Sequence, residues 1–246
     1  MTNVRPIACA LVALAACQAA GAGDDPRPKK EPPPAERFEH DMLVRFHMRE
    51  NFGLLRAIEL LLVHGKLDDG KSLARAIAEA PEEPGLEAFA KRAADVRDRA
   101  ATLASSPTLD DALRSEARVA QTCADCHIDA GVLPEFEHPP RLPPDVMTVK
   151  ARMARHLWAT ERLWEGMVGN SDESWRAGLD VLAAAPLAAA QLGVERESIA
   201  RQLQRLADAA RQTQPTDQLR DRAREYGEIL VTCATCHATP ANHPEL

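Results

Sequence analysis

The feature that most constrains the fold is an internal repeat, because a pattern in the first half of the chain recurs in the second. Met48 recurs 105 positions later as Met153, and Cys123-Ala124-Asp125-Cys126-His127 recurs 110 positions later as Cys233-Ala234-Thr235-Cys236-His237. A few residues of loop insertion reconcile the two displacements. In both copies apolar residues are spaced by three and four with charges between them, and no strand-like alternation competes. The 246 residues are therefore predicted to be all-α, built from two copies of one helical unit.

Turn-forming residues divide each copy into four predicted helices. In the first copy the breaks are expected at Asp68–Gly70, Pro81–Gly85 and Ser105–Pro107. Thr108, with Asp111 three residues on, forms a capping-box-like start for the last helix. We therefore predict two tandem four-helix bundles. They span residues 38–130 and 145–240, with a proline-rich linker at 131–144 and a tail at 241–246.

The N-terminal residues have the pattern of an export signal, with one positive charge followed by an apolar run. Leu14-Ala15-Ala16-Cys17 resembles the lipobox of bacterial lipoproteins, in which the cysteine is acylated. We predict a signal peptide at 1–16 and a lipid anchor at Cys17, followed by a disordered tether through residue 37. Gln18 resembles the residue of lipoproteins sorted to the outer membrane, so we expect the periplasmic side of that membrane. Cleavage after Ala22 is the alternative, and it would leave a soluble periplasmic protein.

The two Cys-x-x-Cys-His segments contain every cysteine downstream of Cys17. In c-type haem attachment, two thiols at this spacing form thioethers with the porphyrin vinyl groups and the next histidine binds the iron. A structural zinc, thioredoxin-like redox chemistry and plain disulfides are alternatives, but none of them requires the histidine or the repeat. We therefore predict two covalently bound haems c. The expected thioether residues are Cys123, Cys126, Cys233 and Cys236, and the expected proximal iron ligands are His127 and His237.

With this motif ending the last helix of each half, the chain resembles the four-helix-bundle cytochromes c, the cytochrome c-prime class and its low-spin relatives. The resemblance implies a haem inside each bundle, where its flat apolar surface would replace aromatic side chains, which make up only 4% of the chain. It also implies a sixth iron ligand from a methionine early in the first helix. Met48 and Met153 are the candidates whose helical spacing places them on the core face. Met42 and Met147 lie about 240° around the helix from them.

Histidines are the rival distal ligands. His156 follows Met153 by three residues on the same face, whereas its counterpart in the first half is Asn51. His47 and His64 have no repeat partner, and we interpret both as solvent-side or interface residues. The distal ligand therefore stays open between the two methionines, His156 and none.

Two functions follow from these alternatives. With histidine and methionine on each iron, the protein would carry single electrons between periplasmic redox partners. With a five-coordinate iron, it would bind a gas such as nitric oxide or carbon monoxide. An enzyme is not expected, because the distal segments lack the acid/base pair that peroxide cleavage needs. The net charge of −7 argues against nucleic acid and favours partners with a basic docking patch. No apolar run reaches the roughly 18 residues of a membrane span.

Overall fold

The computed structural model describes residues 34–81, 87–132, 134, 136, 141–184, 192–212 and 218–239, and over these residues the chain is all-α. The predicted fold class is confirmed at this level. The α-helices of the first half are α1 (Pro34–Val63), α2 (Leu67–Ala78), α3 (Ala90–Ala104) and α4 (Leu109–Asp129), with a short 3-10 helix at Glu87–Phe89. Those of the second half are α5 (Val149–Val168), α6 (Asp172–Ala184), α7 (Val194–Gln212) and α8 (Gln218–Ala238).

The order of helices follows the repeat in the sequence. In each half the helices contact one another in chain order, and the first also contacts the fourth. α1 and α5 end at residues 105 positions apart, and the next turn of each contains a left-handed residue, Gly65 at φ 76° and Asn170 at φ 49°. α4 and α8 have 21 residues each. The two halves are therefore built from matching elements.

Most predicted helix ends lie close to the observed ones. The Asp111 N–H donates to Thr108 Oγ1 at 3.1 Å, so the predicted cap of α4 is confirmed. The break expected at Asp68–Gly70 is wrong, because Asp68 and Asp69 lie in the first turn of α2. Their carboxylates stabilise the helix there by interacting with the positive end of its dipole. The turn lies just before α2, at Gly65. α1 begins at Pro34, inside the predicted tether, and proline suits a first helical turn because it has no N–H to leave unpaired.

One continuous apolar core joins the two halves. The largest contact between the halves is the packing of α4 against α8, the two helices that carry the Cys-x-x-Cys-His segments. Gly227 on α8 allows the close approach, because a Cβ there would lie 3.2 Å from Arg114 Cα on α4. Many of the other buried residues on these two helices are alanines. Small side chains at close helix contacts thus account for part of the low aromatic content.

Within the described part of the chain no helix is long and apolar enough to cross a membrane.

Candidate functional site

Both Cys-x-x-Cys-His segments lie in the last turns of the paired helices, Cys123–His127 on α4 and Cys233–His237 on α8. The cysteines of each segment are three residues apart on a helix, so both thiols of a pair lie on one face. No disulfide joins any of these four cysteines. The predicted attachment residues are thus presented in the same way by two equivalent helices.

The first cysteine of each pair is the more deeply buried. Burial raises the pKa of Cys123 and of Cys233 to about 12. Burial also raises the pKa of Cys126 and Cys236, but a guanidinium acts against it, Arg92 at Cys126 and Arg196 at Cys236. Each pair therefore has one apolar inner thiol and one outer thiol beside a cation.

Those two arginines also hold the end of each motif helix. Arg92 Nε, on α3, donates to Asp129 Oδ2 at 2.7 Å. Arg196 Nε, on α7, donates to the Thr239 carbonyl at 2.8 Å. In each half the bonded residue is the second one after the motif histidine. The two arginines were not among the predicted site residues. Their spacing of 104 positions is close to the repeat displacement and could have identified them as an equivalent pair.

A cavity of about 580 Å³ adjoins the second motif, within the size range of pockets that hold cofactors. Cys233, Cys236 and His237 line it from α8, and Met153 and His156 line it from α5. The other large apolar lining residues come from four helices: Leu60 and Val63 on α1, Leu157 on α5, Ile199 and Leu203 on α7, and Leu230 on α8. The structure thus brings the predicted thioether, proximal and distal residues of the second half to one cavity. Met153 and His156 both remain candidates for the distal position.

The fit to a haem can be judged from this lining. The walls are mainly aliphatic, which suits a flat apolar ring, and the donor atoms are two thiols, a thioether sulfur and imidazole nitrogens, which are the ligand types that haem proteins use. Leu60 and Leu157 are more than half exposed although they line the cavity, so a bound group would cover them. The residues present therefore fit a haem.

His237 lines this cavity beside a histidine of the other half, His64. The rings of His64 and His237 meet edge to face with their centroids 4.7 Å apart and an interplanar angle of 82°. Partial burial of the ring lowers the pKa of His237, and His64 and Arg196 lower it further. His64 is an exposed residue that contacts the other half at His237 and also lines the cavity.

The first motif has a different neighbour. His127 Nδ1 lies 3.2 Å from the Val168 carbonyl at the end of α5. Because a carbonyl oxygen only accepts, Nδ1 must carry the proton, which leaves the lone pair of Nε2 free to bind a metal. Met48 is half-buried on α1, the helix that packs against α4. Met42 and Met147 are exposed.

Charged residues also line the cavity beside the second motif. Arg56 and Glu59 reach it from α1, and Arg56 Nη1 donates to Glu59 Oε2 at 2.7 Å. Tyr226 Oη, on α8, donates to the same oxygen at 2.7 Å. These residues were not among the predicted site residues. Charged side chains on a helix are ordinarily solvated, and only tertiary packing buries Glu59.

The predicted lipid anchor Cys17 lies outside the described residues. In the described ranges no group of three or more His, Cys, Asp or Glu side chains is close enough to hold a metal ion by itself. No protein-family model, curated protein or solved structure matches this chain.

Proposed function

We propose that this protein is an exported dihaem cytochrome c that carries single electrons between redox partners. The observation that carries the proposal is the cavity where Cys233, Cys236 and His237 on α8 lie together with Met153 on α5. That set contains both thioether residues, the proximal ligand and a distal ligand of one haem c, supplied by helices far apart in the sequence.

Each of these residues has a defined role in the proposal. Cys233 and Cys236 would hold the porphyrin through thioethers, and His237 and Met153 would bind the iron. When bound, the haem supplies an iron that alternates between the ferric and ferrous states. Leu203 and Leu230 line the cavity with aliphatic surface that limits access of water. Methionine ligation favours the ferrous state relative to a second histidine.

The first half supports the same proposal through His127. The bond between its Nδ1 and the Val168 carbonyl is the arrangement found for most metal-binding histidines, in which the other ring nitrogen donates to a fixed acceptor. Cys123 and Cys126 would then hold the first haem, with Met48 on α1 as its distal ligand. The second haem would lie between α5, α7 and α8 of its own half and α1 of the first half.

The acidic charge of the chain gives the proposal a partner class. At a net charge of −7, made more negative by haem propionates, the protein would dock on proteins with a basic patch, and electron transfer would slow as ionic strength rises. The proposed location is the periplasmic side of the outer membrane, where Cys17 would carry the lipid.

Absorption spectra of the reduced protein, with and without carbon monoxide, test the electron-carrier function. We expect a sharp low-spin α-band and no change on adding the gas, because two axial protein ligands leave the iron no vacant position. A broad high-spin spectrum that shifts with carbon monoxide would contradict the electron-carrier function and support the gas-binding alternative.

Methionine variants identify the distal ligands. Met153→Ala and Met48→Ala should each convert one haem to a form that binds carbon monoxide, because each removes one axial ligand. The exposed methionines supply matched controls, since Met147→Ala and Met42→Ala should leave the spectrum unchanged. If Met153→Ala leaves both haems low-spin, the assignment of Met153 is wrong and His156, on the same wall, becomes the candidate.

A further inference from the structure

We propose that the two halves complete each other's haem sites unequally: His64 of the first half is a positioning residue for His237, whereas His127 is positioned by a backbone carbonyl. This inference rests on the proposed function, because it concerns the protein groups behind each proximal histidine. It assigns a role to a histidine that has no counterpart in the repeat.

The ends of two equivalent helices lie next to the two motif histidines. α1 and α5 are the first helices of their halves, and they end 105 positions apart, at Val63 and Val168. The end of α5 meets the motif of the first half, where the Val168 carbonyl lies 3.2 Å from His127 Nδ1. The end of α1 meets the motif of the second half, where the His64 ring contacts His237. Each proximal histidine is therefore backed by the first helix of the other half.

The two helix ends differ in the residue that follows them. His64 follows α1, and Gly169 occupies the same position after α5. A side chain at Gly169 would displace the Phe136 ring, because a Cβ there would lie 2.8 Å from Phe136 Cε2 and 3.0 Å from the Glu165 carbonyl. The site of the first half therefore has no equivalent of His64 behind His127.

Unequal backing has a chemical consequence. A group that accepts a hydrogen bond from the proximal imidazole makes its other nitrogen a stronger donor to iron, which favours the ferric state. A backbone carbonyl cannot be removed by rotation of a side chain, whereas His64 is an exposed side chain that meets His237 edge to face without a hydrogen bond. In the proposal a rotation of the His64 ring lets it accept from His237 Nδ1, so the second haem depends on one side chain and the first does not.

Potentiometric titration of the full-length dihaem protein tests this role with three variants. His64→Leu removes the ring nitrogens, His64→Asn keeps a short acceptor, and Lys66→Leu alters an exposed residue in the same turn as a control. We expect His64→Leu to raise one of the two midpoint potentials and to leave the other unchanged. His64→Asn should reverse part of that rise, and Lys66→Leu should change neither potential.

The other outcomes separate failure of this inference from failure of the proposed function. If His64→Leu carries two haems with both potentials unchanged, or shifts both equally, the positioning role is wrong while the cytochrome remains. If His64→Leu makes the second haem bind carbon monoxide, His64 is an axial ligand and not a positioning residue. If the wild-type protein contains no haem, the proposed function fails and this inference with it.

Discussion

At the scale of single residues, the most unusual group outside the proposed haem sites is the carboxyl of Glu116. It is fully buried on α4, and among the described residues neither of its oxygens has a hydrogen-bond partner. Burial raises its pKa well above the usual range, nearby Glu59 raises it further, and Arg56 lowers it. Glu59 in turn is bonded to Arg56 and Tyr226, and burial raises its pKa as well. Glu116 therefore tends to keep its proton in the folded state.

This proton makes stability depend on pH. In the unfolded chain Glu116 ionises at the usual pKa of a glutamate, whereas in the folded protein it does so only at higher pH. The contribution is thus fully present below the unfolded pKa and is lost as pH rises through the folded pKa, with each pKa unit worth about 1.4 kcal/mol. We expect urea unfolding to give a lower free energy of unfolding at pH 8 than at pH 5.

Glu116→Gln should reduce this loss of stability, because an amide cannot ionise. Glu173→Gln, at an exposed glutamate of α6, is the control for loss of one negative charge. If Glu116→Gln and the wild type lose the same free energy of unfolding between pH 5 and pH 8, Glu116 does not hold its proton in the folded protein. Glu59 should leave a residual dependence in the variant, since burial raises its pKa too.

At the scale of elements, the contact between α5 and α6 depends on two glycines. A Cβ on Gly166 would lie 2.5 Å from the backbone nitrogen of Trp175, and a Cβ on Gly178 would lie 2.6 Å from the Ala159 carbonyl. Both obstacles are backbone atoms, so they cannot be relieved by a change of rotamer. These glycines set the distance between the two helices and, through α5, the position of Met153.

Gly166→Ala should therefore destabilise the protein by about 1–3 kcal/mol, which is the usual cost of an inserted methyl group in a packed core. Gly53→Ala on α1 is the matched control, because a Cβ there meets nothing within 4 Å. It should stabilise by about 0.5–1 kcal/mol, through the lower entropy of the unfolded chain. Thermal and urea unfolding measure both changes, and equal effects of the two substitutions would contradict the close contact.

The same elements show what the sequence could predict. The period of apolar residues and the Thr108 cap are local signals, and they located the helices and the start of α4. The predicted start of α2 is wrong because Gly70 is not a turn residue. Gly70 lies inside the helix, where a Cβ would be 2.7 Å from Leu62 Cδ2. Only tertiary packing distinguishes a glycine that terminates a helix from one that admits a neighbour.

At the scale of the whole molecule, the two halves share one core, and each half places a group beside the motif histidine of the other. The repeat predicted two similar units, but no local pattern could show that α4 would pack on α8 or that α1 would line the cavity of the second half. Those contacts join residues far apart in the sequence. For the same reason Cys233, Cys236, His237 and Met153 could be proposed from motifs and spacing, whereas His64 and Glu59 could not.

The intact mass of the purified mature protein tests whether the chain carries the two proposed covalent haems. We expect a mass that exceeds the polypeptide by two haems, since each Cys-x-x-Cys pair forms two thioethers. Cys123→Ala with Cys126→Ala should leave one haem, and so should Cys233→Ala with Cys236→Ala. A protein produced in a host with c-type haem attachment whose mass equals the polypeptide alone, with any lipid accounted for, would contradict the account.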